Sequence, residues 1–122
     1  MMWLAVAVGG ALGSVLRHGV NDFYGHVLGR PGPYATASVN IIGSLVIGVL
    51  AGLIAGGKLH ETPLTRAFVF VGILGGFTTF SSFMLDSLTL AEGHHWSSAL
   101  INIGGQVVLG YAAAYFGFRM AV

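Results

Sequence analysis

The stretch GILGGFTTFSSFMLD, from Gly72 to Asp86, is an apolar run interrupted by glycine, hydroxyl and aromatic residues. On a straight helix at about 100° per residue, its three phenylalanines share one arc and its four hydroxyl side chains fill the opposite arc. The pair Gly75–Gly76 is conformationally permissive, and threonines follow it directly. We therefore predict a break near the middle of this helix.

The composition of the whole chain is that of a membrane protein. Charged residues make up 7% and hydrophobic residues 55%, and the mean hydropathy is +0.84. Because a helix needs about 20 residues to cross a bilayer, the apolar blocks predict an all-α, integral membrane fold. We expect one domain, residues 1–122, with four transmembrane helices at about residues 2–20, 34–56, 65–90 and 97–120. The first block is interpreted as a retained helix because it continues without a cleavage site.

Several classes of function lack support in the sequence. The chain has no cysteine, which excludes thiolate metal sites and cysteine nucleophiles. His94 and His95 are adjacent in a loop, and no third ligand lies at a suitable spacing. There is no phosphate-binding loop, no basic patch for nucleic acid, and no serine, histidine and acid set. We therefore expect neither an enzyme nor a nucleic-acid-binding protein.

The basic residues hardly favour either orientation in the membrane. Lys58, Arg66 and Arg119 fall on one side of the four predicted spans, and Arg17 and Arg30 fall on the other. An excess of positive charge on the cytoplasmic side normally fixes orientation, so this chain can insert both ways up. A four-helix bundle also has little interior, so a polar pathway requires a second copy. We expect a homodimer, and the even charge allows an antiparallel one.

Carboxamides lie deep within the predicted spans. Asn40 is about seven residues into the second span, where an unpartnered amide costs on the order of 1–3 kcal/mol. It either forms hydrogen bonds with a neighbouring helix or lines a water-filled pathway. Asn102 and Gln106 are four residues apart on one face of the fourth span. They either bridge helices or face the same cavity as Asn40.

The polar groups inside the spans are hydrogen-bond donors rather than acids. Asp86 lies towards the end of the third span, and the other carboxylates are in loops. A cation carrier ordinarily needs an intramembrane acid, whereas amides, hydroxyls and the positive edges of phenylalanine rings suit a small anion. Simpler roles remain open: the phenylalanines can pack or face lipid, and the hydroxyls can bond the preceding turn.

Three segments resemble, in order and spacing, the motif regions of the small fluoride channel family called CrcB or Fluc. They are GGALGSVLR (9–17), TASVNIIGSLVIG (36–48) and GILGGFTTFSSF (72–83). The resemblance implies a passive fluoride-selective channel that lowers cytoplasmic fluoride, in the inner or plasma membrane of a bacterium. It also implies an antiparallel, dual-topology homodimer with two pores, in contact with membrane lipid.

The resemblance also assigns roles to individual residues. Asn40 corresponds to the pore asparagine, and Phe80 and Phe83 to the phenylalanines whose edges face fluoride. Backbone carbonyls of Gly75 and Thr78 correspond to those that hold a central structural sodium ion at the dimer interface. The remaining assignments are the polar-track residues Thr36, Ser81 and Ser82, and Arg17 at the vestibule. The fourth span departs from the family pattern, since Gln106 and Gly110 replace the usual hydroxyl residues; Gln106 is expected to supply the donor instead.

Two other classes are weighed against this one. Small multidrug exporters have a similar length, four spans and dual topology, but they use a glutamate in the first helix, and this chain has no acid there. A non-transporting assembly subunit is the third class. Polar groups deep in three separate helices count against it.

Overall fold

The computed structural model describes residues 1–30 and 32–122, and these residues form helices and connecting loops with no strand. Helix α1 is Met2–Asp22 and continues as a π-helical turn, Phe23–Val27. Helix α2 is Pro33–Ala55. Residues 63–77, here called α3, comprise Pro63–Thr65, the π-helical Arg66–Leu74 and Gly75–Phe77. Helices α4 and α5 are Phe80–Glu92 and Trp96–Ala121.

Four helical spans are long and apolar enough to cross a membrane: Met2–Val27, Pro33–Ala55, Pro63–Glu92 and Trp96–Ala121. The prediction of four spans in an all-α membrane protein is confirmed. The first span is longer than expected, because the chain stays helical beyond Val20 through the π-helical turn. The third begins two residues earlier than predicted, at Pro63, where the side chain of Thr62 caps the helix by accepting a hydrogen bond from the Thr65 N–H.

The third span is helical up to Phe77 and again from Phe80, with Thr78 and Thr79 between. Thr78 has ψ 160°, and Thr79 has φ −153° and ψ 114°, which are extended backbone conformations. The expectation that the glycines form part of the interruption is wrong, because Gly75 and Gly76 are both helical. A methyl group on Gly76 would lie 2.6 Å from the Gly10 carbonyl oxygen, so this glycine serves close packing against α1.

The helices pack in two close pairs, α1 with α3 and α2 with α5. A methyl group at Gly13 of α1 would overlap the carbonyl of Ile73, and one at Gly48 of α2 would overlap the carbonyl of Ala114. Small residues allow this approach in lipid, where apolar burial does not drive helices together. A methyl group at Gly43 of α2 would also overlap the side chain of Thr78, so α2 lies directly beside the interruption between α3 and α4.

Candidate functional site

An open groove of about 400 Å³ runs along the interruption in the third span. One wall is part of α2, and the other is formed by the two halves of the third span. Its polar and aromatic lining includes Asn40, Ser44, Thr78, Thr79, Phe80 and Phe83. The groove therefore brings Asn40 of α2 against Thr79, 39 residues later in the sequence, across the middle of the membrane-spanning bundle.

Asn40 binds the interrupted backbone directly. Its Oδ1 accepts a hydrogen bond from the N–H of Thr79 at 2.8 Å, and its Nδ2 donates to the carbonyl of Thr79 at 3.1 Å. The second Nδ2 hydrogen is donated to Oε1 of Gln106 at 2.8 Å. Of the two roles left open for Asn40, bonding to a neighbouring element is confirmed, and Asn40 also lines the groove.

Two backbone carbonyls lose their usual helical donors at the interruption. In a continuous helix the N–H of Thr79 would bond the carbonyl of Gly75, but here it bonds Asn40. The N–H of Ser82 would bond the carbonyl of Thr78, but it donates to Oγ1 of Thr79 at 3.2 Å, as in an N-cap. The carbonyls of Gly75 and Thr78 thus lack these intrahelical bonds at membrane depth.

These two carbonyls fit the sodium site that the resemblance implies. Hard cations prefer oxygen ligands, backbone carbonyls among them, and carbonyls without their helical donors have lone pairs to offer. Within residues 1–30 and 32–122 no group of three or more histidine, cysteine, aspartate or glutamate side chains could hold a metal ion. The carbonyls of Gly75 and Thr78 are therefore the groups at the interruption whose chemistry suits a hard cation.

Phe80 and Phe83 remain neighbours on α4 and both line the groove, but they differ in exposure, and Phe77 lies in a separate helical segment. Phe80 is 72% exposed, whereas Phe83 is 5% exposed. The extended residues Thr78 and Thr79 separate the helical register of Phe77 from that of α4, so positions counted across them no longer lie on one arc. The rings of Phe80 and Phe83 meet edge to face, with centroids 5.8 Å apart and planes at 83°.

Most hydroxyl hydrogens around the groove are already donated within the chain. Ser44 donates to the Asn40 carbonyl at 2.6 Å, Thr78 to the Leu74 carbonyl at 2.9 Å, and Thr79 to Oγ of Ser82 at 3.1 Å. Back-bonding of hydroxyls, one of the simpler roles considered, is confirmed for Ser44 and Thr78. Ser82, in contrast, accepts a hydrogen bond at its hydroxyl oxygen and has its own hydrogen left to donate.

The other residues singled out in the sequence, Ser82 included, are not part of the groove wall. Thr36 is 5% exposed, one turn before Asn40 on α2. Ser81 is exposed on α4, and Arg17 is half-buried on α1. Gln106 is 7% exposed and contacts Asn40 from the side of α5.

Sequence reasoning missed the roles of two residues in and around this site. Thr79 supplies the N–H and carbonyl that Asn40 binds, and its side chain caps α4. Threonine is a favoured N-cap residue, so its position directly before the helical run from Phe80 could have indicated this role. Ser87, which accepts a hydrogen bond from Asn102 Nδ2 at 2.9 Å, gave no local signal in the sequence.

Comparison with known proteins places these features in a family. A family model described as "CrcB-like protein, Camphor Resistance (CrcB)" matches residues 4–118. The chain belongs to the CrcB family. This match covers the groove and nearly all of the four spans.

Curated relatives match the chain over nearly its full length. It is similar to a protein of Paracoccus denitrificans, with 49% identity over 97% of this chain and 92% of the relative. It is also similar to a protein of Aeromonas salmonicida, with 41% identity over 97% of the chain and 94% of the relative. A Rhodospirillum centenum protein is 43% identical over 98% of this chain and 94% of its own length. Each of the three is named fluoride-specific ion channel FluC.

Proposed function

We propose that this chain is a fluoride-selective channel through which fluoride leaves the cell passively. The observation that carries the proposal is near full-length similarity to proteins named fluoride-specific ion channels, in a chain with four spans and a donor-lined groove. The exporter alternative is not favoured, because the one acid of the first span, Asp22, lies near the end of Met2–Val27, 2.8 Å from His26, and not in the middle, where an acid that exchanges protons for cations is expected.

The groove offers an anion two kinds of positive group. The edge of an aromatic ring carries the positive part of its quadrupole, and Phe80 is an exposed ring in the groove wall. Asn40 can present an N–H when an ion replaces one of its two acceptors, because hydrogen bonds to charged acceptors are about twice as strong as neutral ones. Phe83 lines the groove beside Phe80, and we propose that its ring edge also faces fluoride. Ser81 and Ser82 extend the path as hydroxyl donors, with Thr36 and Gln106 behind it, and Arg17 attracts anions at the vestibule.

The groove also supports assembly into a dimer. Gly75 and Phe80 are exposed, and the carbonyls of Gly75 and Thr78 lack their helical donors. Irregular backbone at membrane depth is tolerated only where protein or a water-filled cavity covers it. We propose that a second copy, inserted in the opposite orientation, covers this surface, and that sodium is held between the Gly75 and Thr78 carbonyls of both copies. The positive charge of the ion would attract the carbonyl oxygens of both copies and so hold the two interruptions together.

The dimer can be tested by cysteine cross-linking, since the chain has no native cysteine. A Cβ at Gly75 would meet its nearest atom, the Phe70 carbonyl oxygen, at 3.7 Å, so Gly75→Cys is accommodated. We expect the cysteine at position 75 of one copy to form a disulfide with the same cysteine of the second copy. Leu4→Cys, at the exposed start of α1, should not, because equivalent ends lie on opposite membrane faces in an antiparallel dimer. Cross-linking of Leu4→Cys alone would contradict the antiparallel arrangement.

Channel function is tested by substituting Phe80. Liposomes loaded with fluoride and given a potassium shunt should lose fluoride quickly through the wild-type protein, and Phe80→Ile should abolish that loss without changing dimer elution. The matched control is Phe116→Ile, which changes a ring that is 66% exposed on α5, away from the groove. Normal fluoride efflux through a well-folded Phe80→Ile variant would show that Phe80 only packs and has no role in the fluoride path. Retention of fluoride by liposomes containing wild type would reject the channel.

A further inference from the structure

We infer that Gln106, Asn102 and Ser87 form a positioning chain that fixes the orientation of the Asn40 carboxamide. This positioning chain consists of four hydrogen bonds in series. Asn40 Nδ2 donates to Gln106 Oε1 at 2.8 Å, and Gln106 Nε2 donates to Asn102 Oδ1 at 2.9 Å. Asn102 Nδ2 donates to Ser87 Oγ at 2.9 Å, and Ser87 Oγ donates to the Phe83 carbonyl at 2.8 Å. This inference rests on the proposed function.

All the hydrogen bonds of the positioning chain run in one direction, and the backbone sets that direction. The N–H of Thr79 can only donate, so it requires Oδ1 of Asn40 and leaves Nδ2 for Gln106. Gln106 must then present its oxygen to Asn40 and its NH₂ to Asn102. At the other end the Phe83 carbonyl can only accept, which fixes the Ser87 hydroxyl. Reversing any one carboxamide would place two donors or two acceptors in contact.

The three residues act through Asn40 and not on the ion. None of them lies in the groove wall, and Gln106 and Ser87 are 7% and 5% exposed. The positioning chain begins at Asn40 on α2, passes through Gln106 and Asn102 on α5, and ends on α4, where Ser87 donates to the Phe83 carbonyl. It therefore holds the Asn40 amide against the interruption from outside the groove wall, on the side where Asn102 and Gln106 line a second cavity of about 370 Å³. Its loss should leave a folded channel in which the Asn40 N–H is poorly oriented.

Ser87→Ala tests the positioning chain at the end farthest from the groove. We expect initial fluoride efflux to fall about threefold to tenfold, the worth of one net hydrogen bond, and the fluoride-to-chloride ratio to fall with it. Ser87→Thr keeps the hydroxyl and should restore both. The matched control is Thr89→Val, which removes an exposed hydroxyl on the same helix that donates only to the Leu85 carbonyl at 2.9 Å; its efflux should equal that of wild type.

A double-variant cycle separates positioning from independent contacts. Because Gln106 and Ser87 act in series, Gln106→Leu combined with Ser87→Ala should be no slower than Gln106→Leu alone. Multiplicative losses, or Ser87→Ala efflux and selectivity within about twofold of wild type, would overturn the inference. So would a loss of thermal stability with an unchanged fluoride-to-chloride ratio. Should Ser87→Ala not yield a dimer, Asn102→Leu gives the same readout. Failure of wild type to conduct fluoride would instead reject the proposed function.

Discussion

Substitution of Asn40 by alanine tests how the interruption in the third span is stabilised. The change removes three hydrogen bonds, two to the Thr79 backbone and one to Gln106. Polar contacts between membrane helices are worth about 0.6 kcal/mol on average, so the sum is about 2 kcal/mol. The cost of the substitution would be higher if the Thr79 N–H were left with no partner, since an unsatisfied buried group costs about 1–3 kcal/mol. We expect Asn40→Ala to lower the free energy of unfolding by about 2 kcal/mol or more.

The assay is reversible denaturation in mixed micelles, followed by tryptophan fluorescence. Ser44→Ala is the matched control, since it lies one turn further along α2 and removes a hydroxyl that only back-bonds to the Asn40 carbonyl. Its effect should stay below about 0.6 kcal/mol. Equal stability of the two variants would refute the role of Asn40 as the group that satisfies the interrupted backbone.

Two further predictions concern packing around the groove. Phe83→Ala, at a ring that is 5% exposed, should destabilise the protein by about 3–5 kcal/mol. Phe80→Ala, at a ring that is 72% exposed, should cost much less in the same denaturation assay, and the reverse order would contradict the packing described. Gly48→Val should prevent close approach of α2 and α5, because even a methyl group there overlaps the Ala114 carbonyl. Size-exclusion chromatography should show aggregation or loss of the dimer, and a normal elution profile would refute this seam.

Hydropathy alone was sufficient to predict the number and class of the spans. Apolar blocks of sufficient length can satisfy their backbone in a bilayer only as helices or closed barrels, and four such blocks were evident. Helix ends were less predictable. The π-helical turn Phe23–Val27 extends the first span through residues whose polarity suggested a loop, because backbone bonding continues regardless of hydropathy.

The geometry of the groove could be predicted only in part. Asn40, Gln106 and the third-span residues were recognised as unusual because polar groups are costly in a bilayer. Their pairing depends on how closely α2, α4 and α5 approach, which the sequence does not encode locally. The interruption was attributed partly to glycine flexibility, whereas an N-cap at Thr79 and the Asn40 carboxamide stabilise the extended residues.

The central claim, that the chain conducts fluoride selectively, is tested most directly by the reversal potential in a planar bilayer. With fluoride concentrated on one side and chloride on the other, the purified protein should carry current that reverses close to the fluoride equilibrium potential. A reversal near the chloride or the cation equilibrium potential, or the absence of current through correctly folded dimers, would contradict it.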